Sequence, residues 1–123
     1  MIAPGITIVI PLFQPDIYRV RNLRFVLESL VKTNYKIVVT EQVKTRSEAT
    51  NLKKFTGAID HRITVTSGDK IKKSKLINNS CEYVKTSHIW VIDCDFYMDF
   101  AKVNIEDVLP YEFIQPYYYA RDL

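Results

Sequence analysis

The sequence predicts an α/β fold in which a mostly parallel sheet carries helices on both faces. Apolar, β-branched runs alternate along the chain with segments whose apolar residues recur at helical spacing. The chain has 123 residues, of which 47% are apolar and 25% charged, as in ordinary globular domains. Alternating strands and helices favour a doubly wound sheet, so we expect a single domain over residues 1–123.

The first half of the chain contains two predicted strands and a predicted helix. Residues 6–11 read Ile-Thr-Ile-Val-Ile-Pro, a β-branched run that ends at a proline unable to donate a ladder hydrogen bond. Helical spacing of apolar residues follows over 19–33, and the second strand is expected over 35–40. A short helix is predicted for 47–55.

The second half repeats this alternation. Strands are expected over 61–66 and 88–93, with a helix over 72–86 between them. A helical turn over 105–109 and a last, aromatic-rich strand over 112–119 complete the prediction. In parallel sheets of this kind ligands bind outside the carboxyl ends of the strands, so the residues that follow each strand are the candidate site.

Composition excludes several classes of function. The only glycines are Gly5, Gly57 and Gly68, which excludes G-x-G-x-x-G and P-loop phosphate-binding motifs. The net charge of +3 is too small to indicate nucleic acid as a partner. The first apolar run is too short to cross a bilayer, and no signal sequence precedes it, so we expect no transmembrane segment and a cytoplasmic protein.

The two cysteines, Cys81 and Cys94, are too few for a disulfide framework or a four-cysteine zinc site. Cys81 falls on the apolar stripe of the predicted helix and is expected in the core, and Cys94 is expected to pack inward. His61 and His88 each begin a strand and are interpreted as structural or exposed. Arg19, at the start of the first helix, could meet phosphates, but an exposed helix arginine is the more common case.

Two carboxylates end the fourth predicted strand, in the run Asp93-Cys94-Asp95. Side chains at i and i+2 of a strand point to the same side, so Asp93 and Asp95 are expected to converge. Two neighbouring carboxylates repel each other unless a cation lies between them. Oxygen ligands at a small gap suit Mg²⁺ or Mn²⁺, which share phosphate oxygens and waters. The alternative is that both aspartates are solvated loop residues or helix caps.

Five segments, in the same order and at similar intervals, resemble the nucleotide-sugar-binding half of family-2-type glycosyltransferases with the Rossmann-like GT-A fold. The similarity is closest to the galactosyltransferase-like branch and is carried by residues 8–13, 21–30, 37–42, 73–78 and 89–95. They correspond to the opening strand, the first helix, the second strand with its acidic end, the F-x-[KR]-[SAT]-x-x-x-N segment and the D-x-D strand. Ser80 departs from the glycine that the family often has there.

The resemblance implies a donor site for a nucleoside-diphosphate sugar, commonly a UDP-sugar. Pro11, Leu12 and Phe13 would lie along the nucleoside. Glu41 would face the base or the ribose.

On the diphosphate side the resemblance implies four further residues and a metal cofactor, Mn²⁺ or Mg²⁺. Asp95 would ligate the metal, and Asp93 the metal or the ribose. Lys73 and Asn78 would lie toward the diphosphate and the ribose.

The implied activity is metal-dependent transfer of a glycosyl unit to a hydroxyl group of an acceptor glycan or other acceptor. The family's acceptor half, which supplies the catalytic base, normally follows the D-x-D strand, and because the sequence ends at Leu123 we expect it to be absent and the catalytic residue to be unknown. One alternative is a truncated, inactive donor-binding remnant that oligomerises. A nucleotidyltransferase is a further alternative, although the loop over 12–18 lacks the glycine and basic residues usual there.

Self-association is also expected. Tyr111, Phe113 and the three consecutive tyrosines over 117–119 form an aromatic tail. Exposed apolar patches of this kind mark interfaces, so a homo-oligomer is predicted.

Overall fold

A computed structural model describes residues 3–66, 68, 73–103 and 106 of the chain. The helices and strands are β1 (Ala3–Phe13), α1 (Ile17–Leu30), β2 (Lys36–Val43), β3 (Asp60–Val65), α2 (Lys73–Ser80) and β4 (Thr86–Val91). The four strands form one sheet in the order β3-β2-β1-β4, and every neighbouring pair is parallel. The predicted α/β class is therefore confirmed.

The two helices cover opposite faces of the sheet. Along β2, Val39 belongs to the main core cluster on the α1 side, whereas the neighbouring Thr40 bonds to α2. Successive strand side chains point to opposite faces, which accounts for the difference. Helix α1 buries four apolar side chains in this core cluster, each worth about 1.5–3 kcal/mol when removed from water; they are Leu23, Val26, Leu27 and Leu30.

Helix α1 begins two residues earlier than its apolar spacing predicts. Asp16 is its N-cap, and the carboxylate of Asp16 accepts a hydrogen bond from the backbone N–H of Arg19 at 2.8 Å. Such a cap satisfies one of the free N–H groups of the first turn. The helix therefore starts at Ile17, with Arg19 in its first turn.

Helix α2 packs closely on the sheet through small polar side chains. Ser80, which stands where the resemblance has glycine, is fully buried, and its Oγ lies 2.9 Å from Thr40 Oγ1. Ser80 Oγ also donates to the carbonyl of Leu76 at 2.9 Å. The hydroxyl is thus fully bonded, and the close approach of helix and strand tolerates serine.

Two predicted helices are shorter than expected. Residues 47–55 form two separate 3₁₀ turns, Arg46–Glu48 and Lys53–Phe55, and the segment predicted as helical over 72–86 ends as α2 at Ser80 before a third 3₁₀ turn. The change of helical pitch takes Cys81 off the apolar stripe, and Cys81 is exposed. The expectation that Cys81 belongs to the core is therefore wrong.

The expectations for the end of the chain lie outside the described residues. Of the predicted turn over 105–109 only Glu106 is described, and the predicted strand over 112–119 and the aromatic tail are not. Within the described ranges, every helix is too short or too polar to cross a bilayer.

Candidate functional site

An open cleft of about 310 Å³ lies at the carboxyl ends of β1 and β4. Within the sheet, β2 pairs with one edge of β1, and β4 pairs with the other edge. The strand order along the sheet therefore reverses between β1 and β4. This is the switch point at which doubly wound sheets bind their ligands.

One wall of the cleft comes from the end of β1 and the turn into α1. Pro11, Leu12 and Phe13 line it, as the sequence predicts. Gln14 then adopts the left-handed region, with φ of 34°, a conformation that non-glycine residues rarely take. This turn brings Pro15 and Arg19 back over the same cleft.

The opposite wall comes from α2 and from the segment after β4. Lys73 and Leu76 line it from α2, and Asp93, Cys94 and Asp95 line it from the segment that follows β4.

The route by which the aspartates reach the cleft differs from the prediction. Strand β4 ends at Val91, so the alternation of strand side chains no longer applies at Asp93. The backbone N–H of Phe96 instead donates to the carbonyl of Asp93 at 3.1 Å, which closes a turn. Both carboxylates line the cleft because the turn carries them there.

The charges in the cleft are balanced and partly paired. Lys73 Nζ lies 2.9 Å from Asp93 Oδ1, with both side chains more than half exposed. Asp95 and Arg19 have no ion-pair partner within the described part of the chain. The cleft therefore presents one neutralised pair, one carboxylate and one guanidinium.

The pKa of the Cys94 thiol is affected by the charged groups of the cleft. Burial, and after it the charges of Asp95 and Asp93, raise the pKa of Cys94 to about 11, while Arg19 acts in the opposite direction. Both carboxylates and the guanidinium thus lie close enough to Cys94 to change the pKa of its thiol. Cys94 packs against the core, as expected, and also lines the cleft.

Cys94 is expected to resist alkylation at neutral pH. With a pKa of about 11, its thiolate fraction at pH 8 is about 0.1%, and only the thiolate is nucleophilic. Iodoacetamide labelling followed by mass spectrometry should modify the exposed Cys81 first, with Cys94 reacting as the pH approaches 11. The free energy of unfolding should also fall as the pH rises from about 9 to about 11. In this range the Cys94 thiol is ionised in the unfolded chain and still protonated in the folded chain. Equal labelling of both cysteines at pH 8 would contradict this assignment.

Glu41 does not line the cleft, contrary to the role that the resemblance implies. Its carboxylate is fully buried. Its oxygens accept hydrogen bonds from the backbone N–H of Thr50 at 3.0 Å and from Thr50 Oγ1 at 2.8 Å. His61 Nε2 lies 2.8 Å from the same carboxylate, so His61 is structural, as predicted. Glu41 fastens the loop after β2 to the sheet instead of facing a base or ribose.

Asn78 also lies away from the lining residues. It is exposed on α2, whereas Lys73 and Leu76 of the same helix line the cleft. The structure thus brings together six of the eight predicted site residues, and Glu41 and Asn78 lie elsewhere.

Arg19, Pro15, Leu76 and Cys94 were not predicted to line the cleft. The sequence feature that could have identified Arg19 as a cleft residue is its position in the first turn of the helix that follows β1.

The donor set fits a divalent cation that is held jointly with a phosphorylated ligand. No group of three or more histidine, cysteine, aspartate or glutamate side chains able to hold a metal occurs among the described residues. Two carboxylates alone suit Mg²⁺ or Mn²⁺, which complete their coordination with phosphate oxygens and water. Asp95 would hold the cation, with Asp93 beside it once its contact with Lys73 opens.

Comparison of the chain with models of known protein families and with curated proteins gives no match.

Proposed function

We propose that the chain is the donor-binding domain of a metal-dependent glycosyltransferase and binds a nucleoside-diphosphate sugar such as a UDP-sugar. The nucleoside lies along Pro11, Leu12 and Phe13, and the diphosphate lies between Arg19, Lys73 and a divalent cation on Asp95. The glycosyl unit goes to a hydroxyl group of an acceptor glycan or other acceptor. A cytoplasmic setting belongs to the same proposal and agrees with the two free cysteines.

The observation that carries the proposal is the composition of one cleft at the switch point. An apolar, proline-containing wall from β1 faces a turn with two carboxylates, and a basic side chain comes from each helix. A nucleoside diphosphate needs these three surfaces: apolar contact for the nucleoside, cations for the phosphates and carboxylates for a bridging metal. When bound, the cation acts as a Lewis acid that neutralises the diphosphate and so promotes the departure of the diphosphate from the sugar.

Lys73 has two competing partners in this proposal. Its bond to Asp93 is an exposed ion pair, which contributes about 0–1 kcal/mol and is therefore easily exchanged. A diphosphate offers Lys73 a more highly charged acceptor at the same place. When Lys73 turns to the phosphate, Asp93 becomes available to the cation. Nucleotide and metal therefore bind cooperatively.

Replacing Lys73 with methionine is expected to change the two affinities in opposite directions. Mn²⁺ alone binds more tightly, by at most about fivefold, because Asp93 is released from an exposed pair. UDP in the presence of Mn²⁺ binds about tenfold to a hundredfold more weakly, because a charge-assisted hydrogen bond is lost. Electron paramagnetic resonance of free Mn²⁺ measures the first affinity and calorimetry the second.

Lys75→Met is the matched control. Lys75 is exposed on the same helix and does not line the cleft, so both affinities should remain as in the native chain. Weaker binding of both ligands to Lys73→Met would contradict the exchange of partners.

Calorimetry of UDP with the native chain, with and without Mn²⁺, tests the proposed function. We expect binding that the metal strengthens, and stronger binding of UDP than of UMP because the second phosphate contributes. Equal and weak binding under all conditions would overturn the proposal. A transfer assay with UDP-sugars and Mn²⁺ then separates an active domain from a donor-binding remnant, which retains UDP binding without transfer.

A further inference from the structure

The outward side of α1 carries an apolar surface that the proposed function does not use. Ile17 is 78% exposed, Tyr18 64% and Phe25 57%, and these are the three most exposed large apolar side chains in the described part of the chain. Ile17, Arg21 and Phe25 follow each other at intervals of four residues and therefore share one helix face. The ring of Tyr97, 44% exposed, extends this surface at 5.0 Å from the ring of Phe25.

Arginines lie among these apolar groups. The guanidinium of Arg21 lies 5.5 Å from the ring of Tyr18, and Arg24 donates to the carbonyl of Asn51 at 3.1 Å. The acidic residue on this side, Glu28, is paired with Lys54. Residues 16–32 hold four basic and two acidic side chains, so the local net charge is positive.

We propose that this α1 outer surface, made of Ile17, Tyr18, Arg21 and Phe25 with Tyr97, docks on an anionic lipid surface. Aromatic and aliphatic side chains that project between arginines are typical of helices at the membrane interface, where the apolar parts enter the headgroup boundary. The arginine stems lie along apolar surface while their heads meet lipid phosphates. Each basic residue near such a surface adds attraction to anionic lipid.

A second copy of the chain fits this surface less well. Dimers are most often two-fold symmetric and bring the same patch of each protomer together, so an interface on this surface would bring the arginines of both copies into one patch. Like charges in such an interface oppose association. An acidic protein partner would satisfy the charge as well, and an open hollow of about 460 Å³ on this helix is lined by Ile17, Val20, Arg21, Arg24, Phe25 and Glu28. Binding of soluble polyglutamate therefore distinguishes an acidic protein from a lipid surface.

Docking in this way places the cleft beside the lipid. Helix α1 begins at the cleft, where Pro15 and Arg19 line it, and Ile17 and Tyr18 lie in the same first turn. The mouth of the cleft then opens near the headgroup layer. The inference does not require that the cleft bind a nucleotide.

Vesicle co-sedimentation of the full chain tests the proposal. We expect binding to vesicles of phosphatidylcholine mixed with phosphatidylserine and little binding to phosphatidylcholine alone. The double substitution Ile17→Ser with Phe25→Ser should weaken binding at least about tenfold, because two apolar side chains no longer leave water. Arg21→Glu should weaken it about tenfold and should reduce its sensitivity to salt.

Matched controls come from exposed residues elsewhere. Val65 on β3 is 51% exposed, and Val65→Ser should leave vesicle binding unchanged. Lys85→Glu makes the same charge change as Arg21→Glu at an exposed position outside α1 and should lower binding less. Circular dichroism melting checks that every variant remains folded.

Three results would overturn the proposal. The first is the absence of binding to anionic vesicles, or equal loss with Val65→Ser. The second is a dimer in light scattering that the Ile17 and Phe25 substitutions dissociate, which assigns the surface to a second copy. The third is that soluble polyglutamate binds to the chain and that this binding depends on Phe25 in the same way. This result assigns the surface to an acidic protein.

Discussion

Replacing Asp95 with alanine is expected to abolish the strengthening of UDP binding by Mn²⁺. Asp95 is the carboxylate in the cleft that has no ion-pair partner among the described residues, so it is the side chain ready to accept a cation. Changes in the groups that only support metal ligands cost about 10–100-fold in metal affinity, and loss of a direct ligand should cost at least that. Calorimetry should therefore give the same UDP affinity with and without the metal.

Asp99→Ala is the control for this substitution. Asp99 is an exposed aspartate four residues further along, close to Lys102, and it does not line the cleft. Its removal should leave the metal dependence intact. If Asp95→Ala retained the native dependence on Mn²⁺, the cation would have to bind elsewhere.

Replacing Glu41 with alanine is expected to destabilise the fold strongly, by about 3 kcal/mol or more, because each hydrogen-bonding group that loses its buried partner costs about 1–3 kcal/mol. The substitution leaves the backbone N–H and hydroxyl of Thr50 without their acceptor and His61 without its carboxylate. The loop after β2 then loses its attachment to the sheet. Urea unfolding measures the change in the free energy of unfolding.

Two controls separate this structural role from ligand binding. Asp60→Ala removes an exposed partner of Arg62 and should cost less than about 1 kcal/mol. Glu41→Gln retains one acceptor oxygen and should lie between the native chain and Glu41→Ala. UDP affinity of the folded Glu41→Gln variant should equal the native value, and a large loss of affinity without a loss of stability would restore Glu41 to the nucleotide site.

The fold was predictable because its determinants are local and repeated. The run of Ile8, Val9 and Ile10 is apolar on both sides, which is expected of a central parallel strand covered by helices on both faces. Helical spacing of apolar residues predicted an inner face of α1, of which the leucines are buried and the valines only partly buried; these residues are Leu23, Leu27 and Leu30, and Val20 and Val31. Because ligands bind outside the carboxyl ends of parallel strands, the approximate position of the cleft followed from where the predicted strands end.

The details that failed depend on interactions between residues distant in sequence. Glu41 ends a strand, but its burial follows from Thr50 and His61, which reach it from separate segments. Cys81 left the core because α2 changes to a 3₁₀ turn after Ser80, which apolar spacing does not reveal. Arg19 was interpreted as solvated because an exposed arginine on a helix usually is. Its position in the lining of the cleft follows from the turn at Gln14, which the sequence does not reveal.

In the proposed donor complex, one divalent cation lies between Asp95 and the nucleoside diphosphate in the cleft of β1 and β4. A crystal structure of the chain with UDP and Mn²⁺, with anomalous scattering used to locate manganese, would show whether it does. We predict a single anomalous peak within coordinating distance of both Asp95 and the diphosphate oxygens, with Lys73 turned from Asp93 to the phosphate. A nucleotide bound without manganese, or manganese bound away from Asp95, would contradict it.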